Sequence, residues 1–404
     1  MSTALQPTRE EGLTRLRAFV PRAGSAYAKS RNFDLGPGDR SNVSLLSPFL
    51  RHRLVAEDEV VRAVLAKHPI SAADKFVQEI CWRTYWKGWL EQRPRVWSDF
   101  LSGLSQAQAK MEEDRDIARA YEQAINGKTG IAAFDAWAKE LTETGYQHNH
   151  ARMWFASVWI FTLKLPWTLG ADFFYRHLLD GDAASNTLSW RWVAGLHTRG
   201  KHYVARADNI RQFTEGRFDP AGQLDEAPEP LDGPEPPAPT RLRPPMSVTQ
   251  EEDLVLLLQE DDLTPERWPV AAERVKGVVL LPPDGSYRGL SAAVHAFRAG
   301  AMADTAARAR IAFCAPVLSL AKPTPEEAVA LCRAHGVEKL VTAQVPVGPA
   351  RATYDSFVAE LAGSGVAAVE VRRDWDSAFW PYARAGFFKV KERIPETLER
   401  LGLL

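Results

Sequence analysis

The stretch ETGYQHNHARMWF, residues 143–155, sets polar groups beside aromatic ones in an unusual concentration. Two histidines, an asparagine and an arginine stand directly before a segment that has the composition of a buried helix. Because polar side chains inside a protein must find partners, this stretch predicts contact with a polar ligand as well as a core. Most of the thirteen tryptophans lie between Trp82 and Trp192, and for any one of them the ordinary interpretation is a large helical core.

The composition indicates two or three domains. With 404 residues the chain exceeds the roughly 250–300 residues at which single cores stop growing. The formal net charge of −1 neither favours nor excludes a nucleic-acid site, because such a site needs only a local patch. Cys81, Cys314 and Cys332 are too widely spaced for a disulfide framework or a CxxC metal site. We therefore expect a reduced, cytoplasmic compartment and no metal.

The sequence also predicts a soluble protein with no membrane partner. The start, MSTALQPTRE, lacks the apolar core of a signal peptide. No apolar run reaches the roughly 18 residues that a membrane span requires.

A proline-rich stretch divides the chain into two parts. Residues 220–245 carry nine prolines and several acids without apolar periodicity, which predicts a linker with polyproline II character over 220–246. Before it, segments such as DKFVQEICWRTYWKGWLEQ repeat apolar residues at helical spacing. Residues 1–219 are therefore predicted to form an all-α domain.

The part after the linker, residues 247–404, shows a different pattern. Short β-rich runs alternate with helical stretches, and this alternation predicts a smaller α/β domain with a parallel sheet. The β-rich runs are GVVLLPP, RIAFCAPV, KLVTAQV and VAAVEVR.

Four segments of the first part together resemble the flavin-binding domain of the photolyase and cryptochrome family. They are YAKSRNF (27–33), SNVSLLSPFL (41–50), QEICWRTYW (78–86) and the run from GKTGIAAFDAWAKELTETGYQHNHARM to LLDGDAASNTLSWRW (127–192). Their order, spacing and polar identities are more specific than a shared core composition. The resemblance covers residues 27–218 and implies an all-α domain that binds FAD. Past Trp192 the chain departs from the family's usual continuation.

A bound flavin dinucleotide needs its pyrophosphate neutralised, its ring kept dry and its reactive edge hydrogen-bonded. Ser44, Ser47 and nearby backbone N–H groups stand just before a predicted helix, which is a natural phosphate cradle. The residues that the resemblance places around FAD are Tyr27, Arg31, Ser44, Leu46, Ser47, Asn149, Arg152, Asp180, Asp182 and Asn186.

Within that set, the resemblance implies roles around the flavin ring. Arg152 would pair with Asp180 above the flavin, although such a pair can also be an ordinary structural salt bridge. Asp182 would lie near the polar edge of the ring. Asn186 would lie at the redox-active nitrogen, where an amide can donate or accept a hydrogen bond.

The substrate side resembles photolyases that act on cyclobutane pyrimidine dimers. Glu79 and Trp82 stand at positions i and i+3 of one predicted helix and so share a face. In those enzymes the matching glutamate donates to the dimer carbonyls, and the tryptophans matching Trp82 and Trp192 wedge around the extruded dimer. The resemblance thus implies damaged DNA containing pyrimidine dimers as partner, with Glu79, Trp82, Asn186 and Trp192 catalytic. The residues implied to contact DNA are Trp82, Arg83, His150, Met153 and Trp192.

Some positions depart from the family pattern. Thr84 replaces the acid of the family's W-R-E motif. His150 replaces an arginine and weakens an implied phosphate contact, because an unperturbed imidazole is mostly neutral near pH 7. Trp190 and Trp167 match the inner two members of the family's electron-transfer chain, but the outer tryptophan is not where it is expected. Its candidate substitutes, each also explained as core, are Trp97, Trp137, Trp154 and Trp159.

Two other functions stay open beside repair of cyclobutane dimers. One is a signalling cryptochrome, which keeps the flavin without repair turnover. The other is a photolyase-like activity on 6-4 lesions, single strands or RNA. The 6-4 enzymes need a second histidine where Met153 stands, and cryptochromes of the DASH type usually carry an aromatic other than tryptophan at the position of Trp192.

The order of the domains differs from that of ordinary photolyases, which begin with an α/β antenna domain. Here the α/β part follows, and its segment DWDSAFWPYARAGFFKVKERIP (374–395) is reminiscent of the close of that antenna domain. We interpret this as a domain transposition, in which the second domain serves as a structural cover. The sequence leaves the antenna pigment unknown or absent, and we expect a monomer.

Overall fold

The computed structural model describes residues 5–249, 251–282, 287–318 and 323–404. The helices of the first part are α1 (Arg9–Phe19), α2 (Ser25–Ser30), α3 (Ser47–Arg51), α4 (Glu57–Leu65), α5 (Ile70–Glu91), α6 (Arg95–Glu113), α7 (Arg115–Ile125), α8 (Ala132–Thr144), α9 (Asn149–Ser157), α10 (Trp167–His177), α11 (Ala183–Val193) and α12 (Ala207–Phe213). The second part contains β1 (Leu254–Gln259), β2 (Val275–Leu281), α13 (Ala292–Phe313), β3 (Val317–Leu318), α14 (Pro325–Ala334), β4 (Lys339–Ala343), α15 (Pro349–Glu360), β5 (Ala367–Val371), α16 (Asp374–Phe379), α17 (Phe388–Lys391) and α18 (Ile394–Arg400). The predicted fold class, an all-α part followed by an α/β part with a parallel sheet, is confirmed.

Helix α5 is the central helix of the first part. It is 22 residues long and packs against α2, α4, α11 and, from the second part, α16 and α17. A helix that is apolar on most sides must be surrounded by other elements, and Phe76 and Tyr85 are buried on opposite sides of it. Among the described residues, no helix combines the length and apolarity needed to cross a membrane.

The sheet has five parallel strands in the order β3-β2-β1-β4-β5. Strand β1 lies in the middle, with Leu254, Leu256 and Leu258 in the main core and Val255 and Leu257 in a second core beneath α14 and α15. Because both faces are covered, β1 is a continuous apolar run without alternation. The sequence analysis therefore did not single it out.

The predicted strand in RIAFCAPV is wrong for most of its length. Helix α13 continues to Phe313 and ends at Cys314, which has a left-handed backbone conformation with φ of 49°. Only Val317 and Leu318 then join the edge of the sheet. Helix-forming residues such as Arg310, Ile311 and Ala312 extend α13 over a segment whose apolar content alone suggested a strand.

The proline-rich segment is extended and lies against the helical part. The backbone N–H of Thr240 donates to the Gln92 carbonyl at 2.8 Å, and that of Leu231 donates to the Ala194 carbonyl at 3.0 Å. The side chain of Arg93 donates to the Pro237 carbonyl at 2.9 Å. These bonds hold the segment against the helices along its length. We call this segment, residues 220–246, the strap.

Buried ion pairs join the α/β part to the helices. Arg53 Nη2 lies 2.6 and 2.7 Å from the two carboxylate oxygens of Asp376, and its Nε lies 3.0 Å from Glu57 Oε2. Its Nη1 lies 3.6 Å from Asp262 Oδ2. All four residues are buried. Since a buried charge is costly when it loses its partners, these pairs hold the two parts in one arrangement.

We predict that Arg53→Ala destabilises the protein by about 3–5 kcal/mol, because it leaves buried carboxylates without their cation. Urea denaturation gives the free energy of unfolding for this comparison. The matched control is Arg393→Ala, which removes an exposed pair with Glu396 and should leave stability nearly unchanged. Equal losses in the two variants would contradict the prediction.

Candidate functional site

An arginine and an aspartate form the centre of a buried polar region. Arg152 on α9 lies 3.1 Å from the carboxylate of Asp180, which precedes α11. The Nε of Arg152 also donates to the Gln147 carbonyl at 3.0 Å, which fixes the plane of its guanidinium. Burial alone would raise the pKa of Asp180, but Arg152 and Arg83 together with a hydrogen bond from Ser47 hold it below its usual value. The pair is therefore charged at neutral pH.

Asp182 lies two residues further on and caps α11. One of its carboxylate oxygens accepts a hydrogen bond from the Ser185 backbone at 2.7 Å, and the other lies 3.6 Å from Lys87 Nζ and 3.9 Å from Arg51 Nε. Although burial opposes ionisation, Lys87 and Arg51 hold the pKa of Asp182 far below its usual value. Asp182 is thus a permanent anion.

The sequence analysis did not name Lys87 and Arg51. Lys87 stands four residues after Arg83 on α5, so the two share a face of the helix. Arg51 directly follows the segment SLLSPFL. Helical spacing from Arg83 could have indicated Lys87, whereas only the folded chain reveals that Arg51 turns toward Asp182.

Asn186 follows Asp182 by one helical turn and is nearly buried. Its Nδ2 donates to the Ala171 carbonyl on α10 at 2.8 Å. This bond fixes the orientation of the amide. The Asn186 backbone N–H donates to the Asp182 carbonyl at 3.0 Å, so both residues belong to the first turn of α11.

Several buried polar atoms of this region have no hydrogen-bond partner within the described residues. They include both amide atoms of Gln147, His148 Nε2, Arg83 Nη1 and Trp190 Nε1. More than about 90% of such atoms are paired in folded proteins, so a group of them points to a polar ligand. Burial lowers the pKa of His148 to about 4, which leaves a neutral ring that can donate or accept. The donors and acceptors present fit the flavin that the resemblance implies.

The residues expected on the phosphate side are only partly brought together. Ser47 reaches Asp180, and Ser44 Oγ accepts from the Leu46 backbone at 3.3 Å, while Leu46 itself is buried. Asn149 is exposed at the first residue of α9. The structure thus joins the turn before α3 to Asp180 and leaves Asn149 at the surface.

Arg31 and Tyr27 lie beside Glu79 instead. Arg31 Nη1 is 2.5 Å from Glu79 Oε1, and both side chains are about one quarter exposed. The ring of Tyr27 packs edge-on against Phe19 and Phe76. Arg31 and Glu79 therefore form an ion pair at the rim of the helical part, accessible to a ligand from solvent.

The tryptophans expected to wedge around a lesion already have aromatic partners. Trp82 stacks on Phe387 with the ring centroids 3.8 Å apart and an interplanar angle of 14°. Trp192 stacks on Tyr203 at 5.5 Å and 27°. The prediction left out both partners, because Phe387 comes from the far end of the chain and Tyr203 from the segment in which the family resemblance ends.

Two residues predicted to contact DNA lie largely inside the helical part. His150 is buried, its Nδ1 lies 3.0 Å from the Asn32 carbonyl, and its ring stacks on Trp154 at 4.2 Å. Arg83 points inward and lies 4.0 Å from Asp180. Arg83 keeps a small exposed fraction, 14% of its side chain. Met153 is half-buried.

The predicted electron-transfer residues lie in separate aromatic contacts. Trp190 meets Trp159 edge-on with centroids 6.1 Å apart, and Trp159 lies 5.9 Å from the half-buried Tyr121. Trp167 packs beside Phe100 at 5.7 Å. Of the four candidate substitutes, Trp159 is thus the one in ring contact with Trp190.

Comparison with known proteins shows what this region is similar to. Residues 76–225 match the family model described as the FAD binding domain of DNA photolyase. A deoxyribodipyrimidine photo-lyase of Synechococcus is 32% identical over 218 residues, which are 52% of this chain and 43% of that protein. The enzyme of the same name from Streptomyces griseus is 32% identical over 203 residues, covering 47% and 43%. The chain thus spans less than half the length of these relatives.

Two solved structures are similar over about half of the chain. A bacterial class III photolyase from Agrobacterium tumefaciens has 27% identity and a TM-score of 0.42, covering 51% of this chain and 44% of that one. A Synechocystis cryptochrome has 23% identity and a TM-score of 0.42, covering 52% and 43%. Residues 76–225, which include Glu79, Arg152, Asp182 and Asn186, are thus similar in sequence to the FAD binding domain of DNA photolyase.

Proposed function

We propose that the protein binds FAD and uses its reduced form to repair cyclobutane pyrimidine dimers in DNA under blue light. The observation that carries this proposal is the buried polar region in the matched segment, where Arg152, Asp180 and Asp182 lie beside polar atoms that have no partner among the described residues. Buried polar side-chain atoms usually have partners, so these atoms support the presence of a polar ligand.

In this proposal the cofactor is held by residues of the helical part. The Arg152–Asp180 pair orients FAD, Ser47 supports Asp180, and Asp182 and Asn186 contact the polar edge of the ring. Ser44 and Leu46 line the phosphate side, with Tyr27, Arg31 and Asn149 as outer contacts. When bound and reduced, FAD supplies the photoexcited electron donor that splitting a dimer requires.

The proposed lesion site lies on the face of α5 that carries Glu79 and Trp82. Arg31 offers guanidinium donors beside Glu79, and protonation of Glu79 would add another donor toward a pyrimidine carbonyl that gains negative charge. Trp82 and Trp192 would stack on bases of the extruded lesion. The proposed partner is damaged DNA, and the proposed state is a cytoplasmic monomer.

We also propose that the α/β part is an antenna-type domain placed after the flavin domain. The parallel sheet with β1 at its centre supports this origin. Asp376 and Phe387 of this part are buried against the helical part, which supports a role as structural cover.

A second candidate function is a blue-light photoreceptor without repair. It is favoured by the stack of Phe387 on Trp82, since that ring covers one face of the residue that a lesion base would need. The flavin site is the same in both candidates, so only the lesion side separates them.

The first prediction from this proposal concerns cofactor binding. Purified protein should carry one FAD, and Asp180→Asn should weaken its binding roughly 10–100-fold, because the charge that orients Arg152 is lost. Flavin absorbance and titration with FAD measure this. The control is Glu140→Gln, which breaks a comparable Arg40–Glu140 pair at 2.7 Å without touching Asp180. Wild-type protein that takes up no added FAD would defeat the proposal.

The next prediction concerns repair. With FAD fully reduced, Glu79→Ala should slow blue-light repair of a defined thymine dimer by about 1–3 kcal/mol in the barrier, while Glu79→Gln keeps a donor and should lose less. Glu59→Gln, which also breaks a 2.5 Å pair with an arginine, serves as control and should repair as the wild type does. If the wild type binds FAD but repairs no dimer, the photoreceptor function takes the place of repair.

The last prediction concerns the ring over Trp82. Base stacking on an aromatic side chain is worth about 1–3 kcal/mol, so Phe387→Ala should free Trp82 and tighten binding of dimer-containing DNA by up to roughly tenfold. Phe388→Ala is the control, because Phe388 is 73% exposed. The ring that stacks on Trp82 is that of Phe387, not Phe388. Fluorescence anisotropy with a labelled oligonucleotide measures the affinity. Unchanged affinity in Phe387→Ala would remove Trp82 from the lesion site.

A further inference from the structure

The α/β part contributes a carboxylate to the buried polar region. Asp261 follows the carboxyl end of β1, where its backbone N–H donates to Gln259 Oε1 at 2.7 Å. Its side chain reaches across the boundary between the two parts and lies 2.6 Å from Arg51 Nη1 and 3.0 Å from Lys87 Nζ. Asp261 thereby meets the same two cations that hold Asp182.

The two aspartates share these cations unequally. Asp182 lies 3.6 Å from Lys87 and 3.9 Å from Arg51, so the shorter contacts of both cations go to Asp261. We call Arg51, Lys87, Asp182 and Asp261 the charge cluster. Its two cations and two anions sum to zero, and all four side chains are buried.

The neighbouring charges do not duplicate the role of Asp261. Glu260 lies 3.4 Å from Arg51 but is also paired with Arg298 at 3.2 Å, so that pair is neutral by itself. Arg83 adds a cation that acts on both Asp180 and Asp182. Loss of the charge on Asp261 would therefore leave the surroundings of Asp182 more positive by one unit.

We infer that Asp261 is a positioning residue for the flavin edge, and that it sets the reduction potential of the bound cofactor by holding Lys87 and Arg51 away from Asp182. The inference rests on the proposed function, in which Asp182 contacts the polar edge of FAD. A unit charge has a large effect in a buried region, because the surroundings screen it weakly. Residues that orient a contacting group tune a cofactor in the same way as outer ligands tune a metal.

The direction of the effect follows from charge. Reduction of FAD places negative charge at the polar edge of the ring when the reduced form is anionic. Asp261 supplies negative charge nearby and disfavours that form. Asp261→Asn keeps the shape of the side chain and removes its charge. The positive charges of Lys87 and Arg51 then act more strongly on Asp182. The midpoint potential of bound FAD should then become more positive than in the wild type.

The test is an equilibrium reductive titration of the full chain with FAD bound, using a reference dye. Asp261→Asn should shift the midpoint potential upward, and Lys87→Gln should shift it downward because it removes a cation from the same cluster. Asp262→Asn is the matched control, since Asp262 is the next residue and equally buried but pairs with Arg373 and Arg53. It should leave the potential unchanged.

The possible outcomes separate this inference from the proposed function. Protein that folds but binds no FAD overturns the proposed function together with the inference. If FAD binds and Asp261→Asn has the wild-type potential, or if Asp262→Asn shifts it equally, the inference alone is overturned. Should Asp261→Asn fail to fold, a wild-type potential in Lys87→Gln overturns the inference by itself.

Discussion

The rest of the structure depends on the mutual neutralisation of the charge cluster. Arg51 comes from α3, Lys87 from α5, Asp182 from the start of α11 and Asp261 from the end of β1. Any one of these charges, buried alone, would cost several kcal/mol. The cluster is therefore stable only when three helices and the central strand are all in place. This need for mutual neutralisation fixes both the contact between the two parts and the position of Asp182. The fold and the candidate site therefore depend on the same four charges.

Helix α5 contacts both the buried polar region and the α/β part, through different faces. Its inward face carries Arg83 and Lys87, while Thr84 accepts a hydrogen bond from the Trp375 indole at 2.8 Å. At Gly88 an added Cβ would lie only 2.7 Å from the ring of Trp380. Thr84 stands where the family motif has an acid, and because this position is buried beneath Trp375, a charged side chain here would lose its solvation. The threonine at position 84 is therefore part of the contact between the two parts.

The sequence predicted what short-range patterns encode and missed what distant segments bring together. Helical periodicity and the β-rich runs predicted the two parts, and the family resemblance implied the pairing of Arg152 with Asp180. Strand β1 escaped notice because burial on both faces removes alternation. Phe387 escaped because nothing near it in the sequence points to Trp82, some 300 residues earlier. His150 was assigned to DNA through the family resemblance, and its motif position did not indicate that it lies buried against Trp154 and the Asn32 carbonyl.

The strap between the two parts has a consequence for how the gene can be arranged. Its hydrogen bonds to the backbone at Gln92 and Ala194 add to a contact surface that already holds the parts together through buried ion pairs. These contacts already fix how the two parts are arranged, so the peptide chain between residues 219 and 247 adds little to that arrangement. Two separately translated halves should therefore assemble into the same molecule.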